Sequence, residues 1–153
     1  AALMATACRL GAILGEVSEV KKEALTLYGW YLGMAFQLAD DTLDYTADSE
    51  NYGKSLGNDL QEGKITLPLL HLLKHCKSDL LPHVKEIVTA DKQSDKDLSY
   101  IQELLHRYYS IHYARSRARD YSTKARQTLS IYEDSLPRQA LLTLTDYVVD
   151  RDL

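Results

Sequence analysis

Residues 1–14 (AALMATACRLGAIL) are almost wholly apolar and rich in good helix formers, which predicts a core helix. Gly15 interrupts it, and Ser18 is placed to cap a second helix whose first turn carries Glu19. That helix is predicted over 19–45. Its apolar positions, among them Leu27, Tyr28, Tyr31, Leu32, Ala35, Phe36 and Ala39, cover most of the circumference, as expected for the centre of a bundle. Residues 46–63 (TADSENYGKSLGNDLQEG) hold three glycines among polar residues and read as a long loop, a length that in compact domains is often functional. Helix resumes over 65–76 with Pro68 in its first turn, and a break at 78–82 precedes a short helix to Ala90. After a polar stretch at 91–97, apolar positions from Ile101 through Leu104, Tyr108, Ile111, Ala118 and Ala125 to Tyr132 recur at helical steps. They predict one long amphipathic helix over 98–132. Ser135 and Pro137 then open a last helix through Val149. Nothing reads as a strand, so the fold class is all-α.

Composition sharpens this picture in a few places. Of 153 residues only 7 are Gly and 3 Pro, which disfavours a sheet protein with many tight turns. A formal charge of −4 argues against a generic nucleic-acid binder. Cys8 and Cys76 match no metal or redox spacing, and a reduced, cytoplasmic protein is the plain expectation. Residues 24–39 run uncharged for 16 positions, short of the roughly 20 that a membrane span needs. Arg9 interrupts the first apolar run, so a signal peptide is not expected. Without Met at position 1, the chain is expected to be a piece of something longer.

The chemistry gathers at the end of the second helix, in QLADDTLDY. Asp40 and Asp44 lie one turn apart on the same helix face, with Asp41 about 100° round from Asp40. The carboxylates repel one another and the helix dipole opposes them as well. A hard divalent cation would reverse the sign of that repulsion, and oxygen ligands suit Mg²⁺; a solvated acidic helix end is the plainer alternative. Gln37 shares the face of the acids. Residues 40–62 hold seven acids and one lysine. Lys54 and Lys64, each preceded by glycine, suit a ligand that meets metal and ammonium groups through its own phosphates; alternatively they balance the acids.

FQLADDTLDY followed by GKSLGNDLQEGKITLPLL resembles the second aspartate-rich region of trans-isoprenyl (polyprenyl) diphosphate synthases. The specific part is the ordered set FQ, DD, D, GK, G-x-D, EGK, T and P. The wording is closest to the medium- and long-chain members, octaprenyl synthases among them. The resemblance implies a helical bundle that forms the C-terminal half of the isoprenoid (terpenoid) synthase fold. Residues 1–153 would then be a single all-helical segment of a domain about twice as long. The half with the first aspartate-rich motif and the isopentenyl diphosphate-binding basic residues is missing. The activity implied is condensation of isopentenyl diphosphate with an allylic diphosphate. By resemblance Asp40 ligates Mg²⁺, with Asp41 and Asp44 contributing directly or through water. Lys54 and Lys64 contact the allylic diphosphate, Gln37 sits beside the reacting carbons, and Phe36 helps to line an apolar wall. Gly29 and Gly33 either shape that wall or permit close helix packing, the second being favoured.

The residues themselves lead to an expectation of no integral membrane segment and no nucleic acid, and the family reading adds a homodimer. Residues 1–153 by themselves are expected to be inactive. Alternatives are a short-chain (farnesyl or geranylgeranyl) synthase, a non-catalytic partner subunit, or an unrelated helical interaction module with an acidic loop. His71, His75 and Cys76 fall on one helix without a third ligand of the usual zinc patterns, and the basic stretch 107–126 reads as a solvated helix face.

Overall fold

The computed structural model describes residues 1–46 and 57–150. In chain order these form α1 (Ala2–Leu14), α2 (Glu19–Leu43), α3 (Asn58–Gln61), α4 (Leu67–His75), α5 (Leu81–Thr89), α6 (Asp95–Arg107), α7 (Ser110–Thr128) and α8 (Leu136–Asp150). A 3₁₀ turn over Leu129–Ile131 follows α7. No strand occurs among the described residues, and the all-α reading holds. Among them, no helix is long and apolar enough to cross a membrane. Pro68 stands in the first turn of α4, where its missing N–H is no loss.

Three expectations about where elements begin and end are corrected. The helix expected over 98–132 is two helices, broken where Tyr109 takes a left-handed φ of 55°. The apolar stripe persists on both sides of the break, so periodicity alone cannot reveal it. The first of the two begins earlier than expected, at Asp95, because Ser94 and Asp97 form a reciprocal capping box. The long loop contains α3, a single turn entered through Gly57 at φ 76°. A side chain there would be strained and would also press on Leu98.

The chain divides into two compact units. The terminal unit comprises residues 1–39 and the described residues from 116 onward. Its core is Tyr28, Leu32, Ala35, Ala125, Leu129 and Val148. Here α1 differs from the expected core helix. It buries only Ala5 and Ala12, while Leu3 and Leu14 are 83% and 86% exposed. The small face of α1 lies on the glycines of α2: a Cβ at Gly29 would stand 2.5 Å from the Met4 carbonyl oxygen, and one at Gly33 2.5 Å from Ala1 Cα. These glycines therefore serve close packing. The middle unit, residues 40–115, gathers Leu60, Leu69, Leu72, Val84, Ile87, Ile101, Leu104, Leu105 and Ile111 around Tyr45. Each fully buried leucine of this kind contributes about 2 kcal/mol relative to exposure.

Candidate functional site

Helix α2 ends at Leu43 and carries its acids into the turn that follows. Asp40 is exposed, Asp41 and Asp44 are half-buried, and Thr42 and Tyr45 point into the interior. This alternation follows from the helical period, which brings Thr42 and then Tyr45 onto the buried side. Phe36 is half-buried against the core of the terminal unit, and Gln37 is exposed three residues before Asp40.

Asp44 reaches across the loop. Its carbonyl accepts the Gly57 N–H at 2.9 Å, and its Oδ2 accepts the Asp59 N–H at 3.0 Å, inside the first turn of α3. Asp59 in turn holds Lys64: its carbonyl accepts the Lys64 N–H at 2.7 Å and its Oδ1 accepts from Nζ at 3.1 Å. Glu62 Oε2 lies 2.6 Å from the same Nζ. Hydrogen bonds from the Lys64 ammonium to Glu62 and Asp59 keep it charged well beyond the usual lysine range. The same ammonium draws Glu62 below the ordinary carboxylate range. Lys54 lies outside the described residues.

Tyr45 anchors this charged end. Its phenol is pushed up to about 12, first by burial, with the charges of Asp44, Asp59 and Asp41 adding to the effect and a hydrogen bond from Thr66 opposing it. Thr66 Oγ1 donates to the phenol oxygen at 3.4 Å, and Gln102 Nε2 donates to the Tyr45 carbonyl at 3.3 Å. Asp41, Asp44 and Asp59 thus share one strongly negative neighbourhood. Among the described residues, however, no three His, Cys, Asp or Glu side chains converge on a single metal position. The donors are hard carboxylate oxygens. Such a set suits a cation completed by ligand phosphates better than a closed protein cage.

The family model described as Polyprenyl synthetase matches residues 1–105. The chain belongs to the polyprenyl synthetase family. Across 99% of its length this polyprenyl synthetase chain is 36% identical to octaprenyl diphosphate synthase of Haemophilus influenzae and 38% identical to that of Escherichia coli. It covers 46% and 47% of those proteins. A polyprenyl synthase from Caulobacter crescentus, solved with calcium and isoprenyl diphosphate, superposes with a TM-score of 0.91 at 36% identity, over 99% of this chain and 46% of that one. Geranylgeranyl pyrophosphate synthetase from Pyrococcus horikoshii superposes at 0.89 with 33% identity, over 98% of this chain and 45% of that one. The chain spans about half the length of the curated relatives it matches.

Sequence reasoning missed two residues of this polyprenyl synthetase segment. Asp59, the link between Asp44 and Lys64, was signalled only by the G-x-D spacing, and Tyr45 only by being the aromatic residue after the acids. The groups set aside are engaged elsewhere. His71 is stacked between His75 and Tyr113, with ring centroids 4.2 and 4.4 Å away, and its Nδ1 lies 3.0 Å from Ser110 Oγ. His75 Nδ1 bonds to the His71 carbonyl at 2.9 Å. In the basic stretch, Arg117 and Arg126 pair with Asp120 and Asp146, and Lys124 lies over the rings of Tyr31 and Tyr121.

Proposed function

We propose that this chain is the part of a trans-prenyltransferase, a polyprenyl diphosphate synthase, that receives the diphosphate of an allylic substrate. In the reaction, the allylic C–O bond breaks with its electron pair leaving on the diphosphate. The double bond of isopentenyl diphosphate then forms a C–C bond to the cation, and the new cation loses a proton. The observation that carries this reading is the joining of the Asp40–Asp44 helix end to Lys64 through Asp59, which sets carboxylates and a firmly protonated ammonium on one connected turn.

The charged residues follow from that pattern, and the roles of Gln37 and Phe36 from the family likeness. Asp40 and Asp41 would hold a divalent cation, Mg²⁺ by the preference of hard oxygen donors, while the Asp44 carboxylate accepts the Asp59 N–H. When bound, that cation supplies Lewis-acid neutralisation of the diphosphate oxygens. Lys64, with Lys54, neutralises charge that grows on the leaving oxygens, an interaction stronger in the transition state than before it. Gln37 turns its amide dipole to the reacting carbons. Phe36 contributes apolar wall that keeps water from the cation. The calcium and isoprenyl diphosphate of the Caulobacter relative support this assignment for the present chain. The parent protein is then a cytoplasmic homodimer, with the second substrate's site on the remainder of its length.

The test incubates the full natural protein with Mg²⁺, farnesyl diphosphate and isopentenyl diphosphate and sizes the products. A ladder ending near eight isoprene units, abolished by Asp40→Ala, is the expected result. Products stopping at four units would establish the short-chain reading that the likeness to the Pyrococcus structure favours. No elongation by folded protein would leave the non-catalytic partner subunit.

A further inference from the structure

Of the acids at the end of α2, Asp44 has a commitment that its motif does not explain. It lies past the helical hydrogen-bonding of the apolar body, its own N–H reaching the Asp40 carbonyl at a long 3.3 Å. From there it makes two bonds to a segment far along the chain, carbonyl to Gly57 N–H at 2.9 Å and Oδ2 to Asp59 N–H at 3.0 Å, the second spanning 15 residues. The turn it holds is short: α3 has four residues and no side-chain cap of its own from Gly57. A helix so short does not persist by propensity, so outside bonds must fix it. Among them are the burial of Leu60, 1% exposed in the core around Tyr45, and the two bonds to Asp44. Asp59 then passes the constraint on, its carbonyl and carboxylate both bonded to Lys64. A lysine side chain has four rotatable bonds, and its ammonium is well placed only when its backbone is anchored and its partners, here Asp59 and Glu62, limit its rotamers.

We propose that Asp44 is a positioning residue, whose carboxylate fixes the Asn58–Gln61 turn and, through Asp59, the place from which the Lys64 ammonium meets substrate. This rests on the reading that Lys64 binds diphosphate. It assigns the motif's acids different tasks: Asp40 and Asp41 provide charge, and Asp44 provides an acceptor. Charge and acceptor can be separated chemically. An asparagine amide oxygen still accepts the Asp59 N–H but brings no negative charge to a cation, whereas alanine brings neither acceptor nor charge.

The experiment compares Asp44→Ala and Asp44→Asn in the full natural protein, reading KM for the allylic diphosphate, the Mg²⁺ concentration for half-maximal rate, and hydrogen exchange of the Asp59 amide. Loss of the acceptor is expected to raise KM about tenfold in Asp44→Ala, the effect of losing one charge-assisted bond. Asp44→Asn should recover most of that factor. The Asp59 amide should exchange faster in the alanine variant and stay protected in the asparagine one, with Mg²⁺ half-saturation moved in neither. If Asp44→Asn matches Asp44→Ala and both demand more Mg²⁺, Asp44 acts through its charge as a metal ligand and the inference falls. Should the alanine variant not fold, a raised Mg²⁺ requirement or an unprotected Asp59 amide in the asparagine variant overturns it equally. A wild-type protein that elongates nothing overturns the functional reading and the task given to Lys64. A wild type that elongates while the asparagine variant shows no rescue overturns only the positioning.

Discussion

Among the described residues, each of the two units buries one tyrosine almost completely, and the two phenols are treated differently. In the terminal unit, Tyr28 donates its hydroxyl to the Leu141 carbonyl at 2.8 Å, across 113 residues of chain. Tyr132 does the same to Lys21 at 2.7 Å, and Ser122 to Thr145 at 2.7 Å. Buried donors that find carbonyl acceptors on another helix tie helices together at little cost. In the middle unit, Tyr45 stands among Asp41, Asp44 and Asp59, receives a bond from Thr66, and gains no charged partner that would favour its ionised form. The first arrangement is what a scaffold needs. The second gathers three carboxylates beside a buried core, with the Lys64 ammonium paired to Asp59 and Glu62, the kind of charge concentration that marks a candidate site rather than a scaffold.

If the units differ in this way, substitutions in them should separate activity from stability. The largest effect belongs to Asp40→Ala in the middle unit: Mg²⁺-dependent elongation should fall about a thousandfold with the unfolding midpoint nearly unmoved, consistent with loss of transition-state electrostatics. A fall in activity matched by an equal loss of fold would erase the contrast. Core changes should do the reverse. Gly29→Ala drives a methyl to within 2.5–2.8 Å of the α1 backbone and is expected to cost about 3 kcal/mol by denaturant titration. Leu72→Ala, emptying a wholly buried position, should cost a similar amount, about 3 kcal/mol. An unaffected Gly29→Ala would mean that α1 does not rest on α2 as described.

Alkaline pH sharpens the comparison further. Tyr45 ionises at about 12 in the folded protein, against about 10 in an unfolded chain. Between those values the unfolded state binds fewer protons than the native one, so stability falls as pH rises above about 10. Tyr45→Phe should remove part of that slope, seen as a flatter dependence of the urea midpoint on pH; an unchanged slope would place the alkaline loss on Tyr28, which burial also raises. The smallest effect is Ser122→Ala, about 1 kcal/mol for one buried hydrogen bond in the terminal unit, with no change in KM.

How far the chain could be read in advance depends on distance along it. The all-α class, the start of α2 at Glu19, the first-turn proline of α4 and the acid end of α2 are matters of local period and local composition, and all were legible. The break at Tyr109 was not, because Ile101, Leu104, Ile111 and Ala118 keep one apolar stripe through it. Nor was the exposure of Leu3 and Leu14 on α1. Apolarity says that a face can be buried, and only the approach to Gly29 and Gly33 decides which face is.

The candidate site divides along the same line. By itself the sequence determined that carboxylates and glycine-flanked lysines lie close together in the chain, because helical spacing and charge count are local properties. Only the tertiary structure decided that Asp44 is bonded to Asp59 and that Asp59 holds Lys64, since a hydrogen bond across 15 residues depends on where the loop returns. That return is set by Leu60 entering the core beside Tyr45, a packing event that no local pattern of residues encodes.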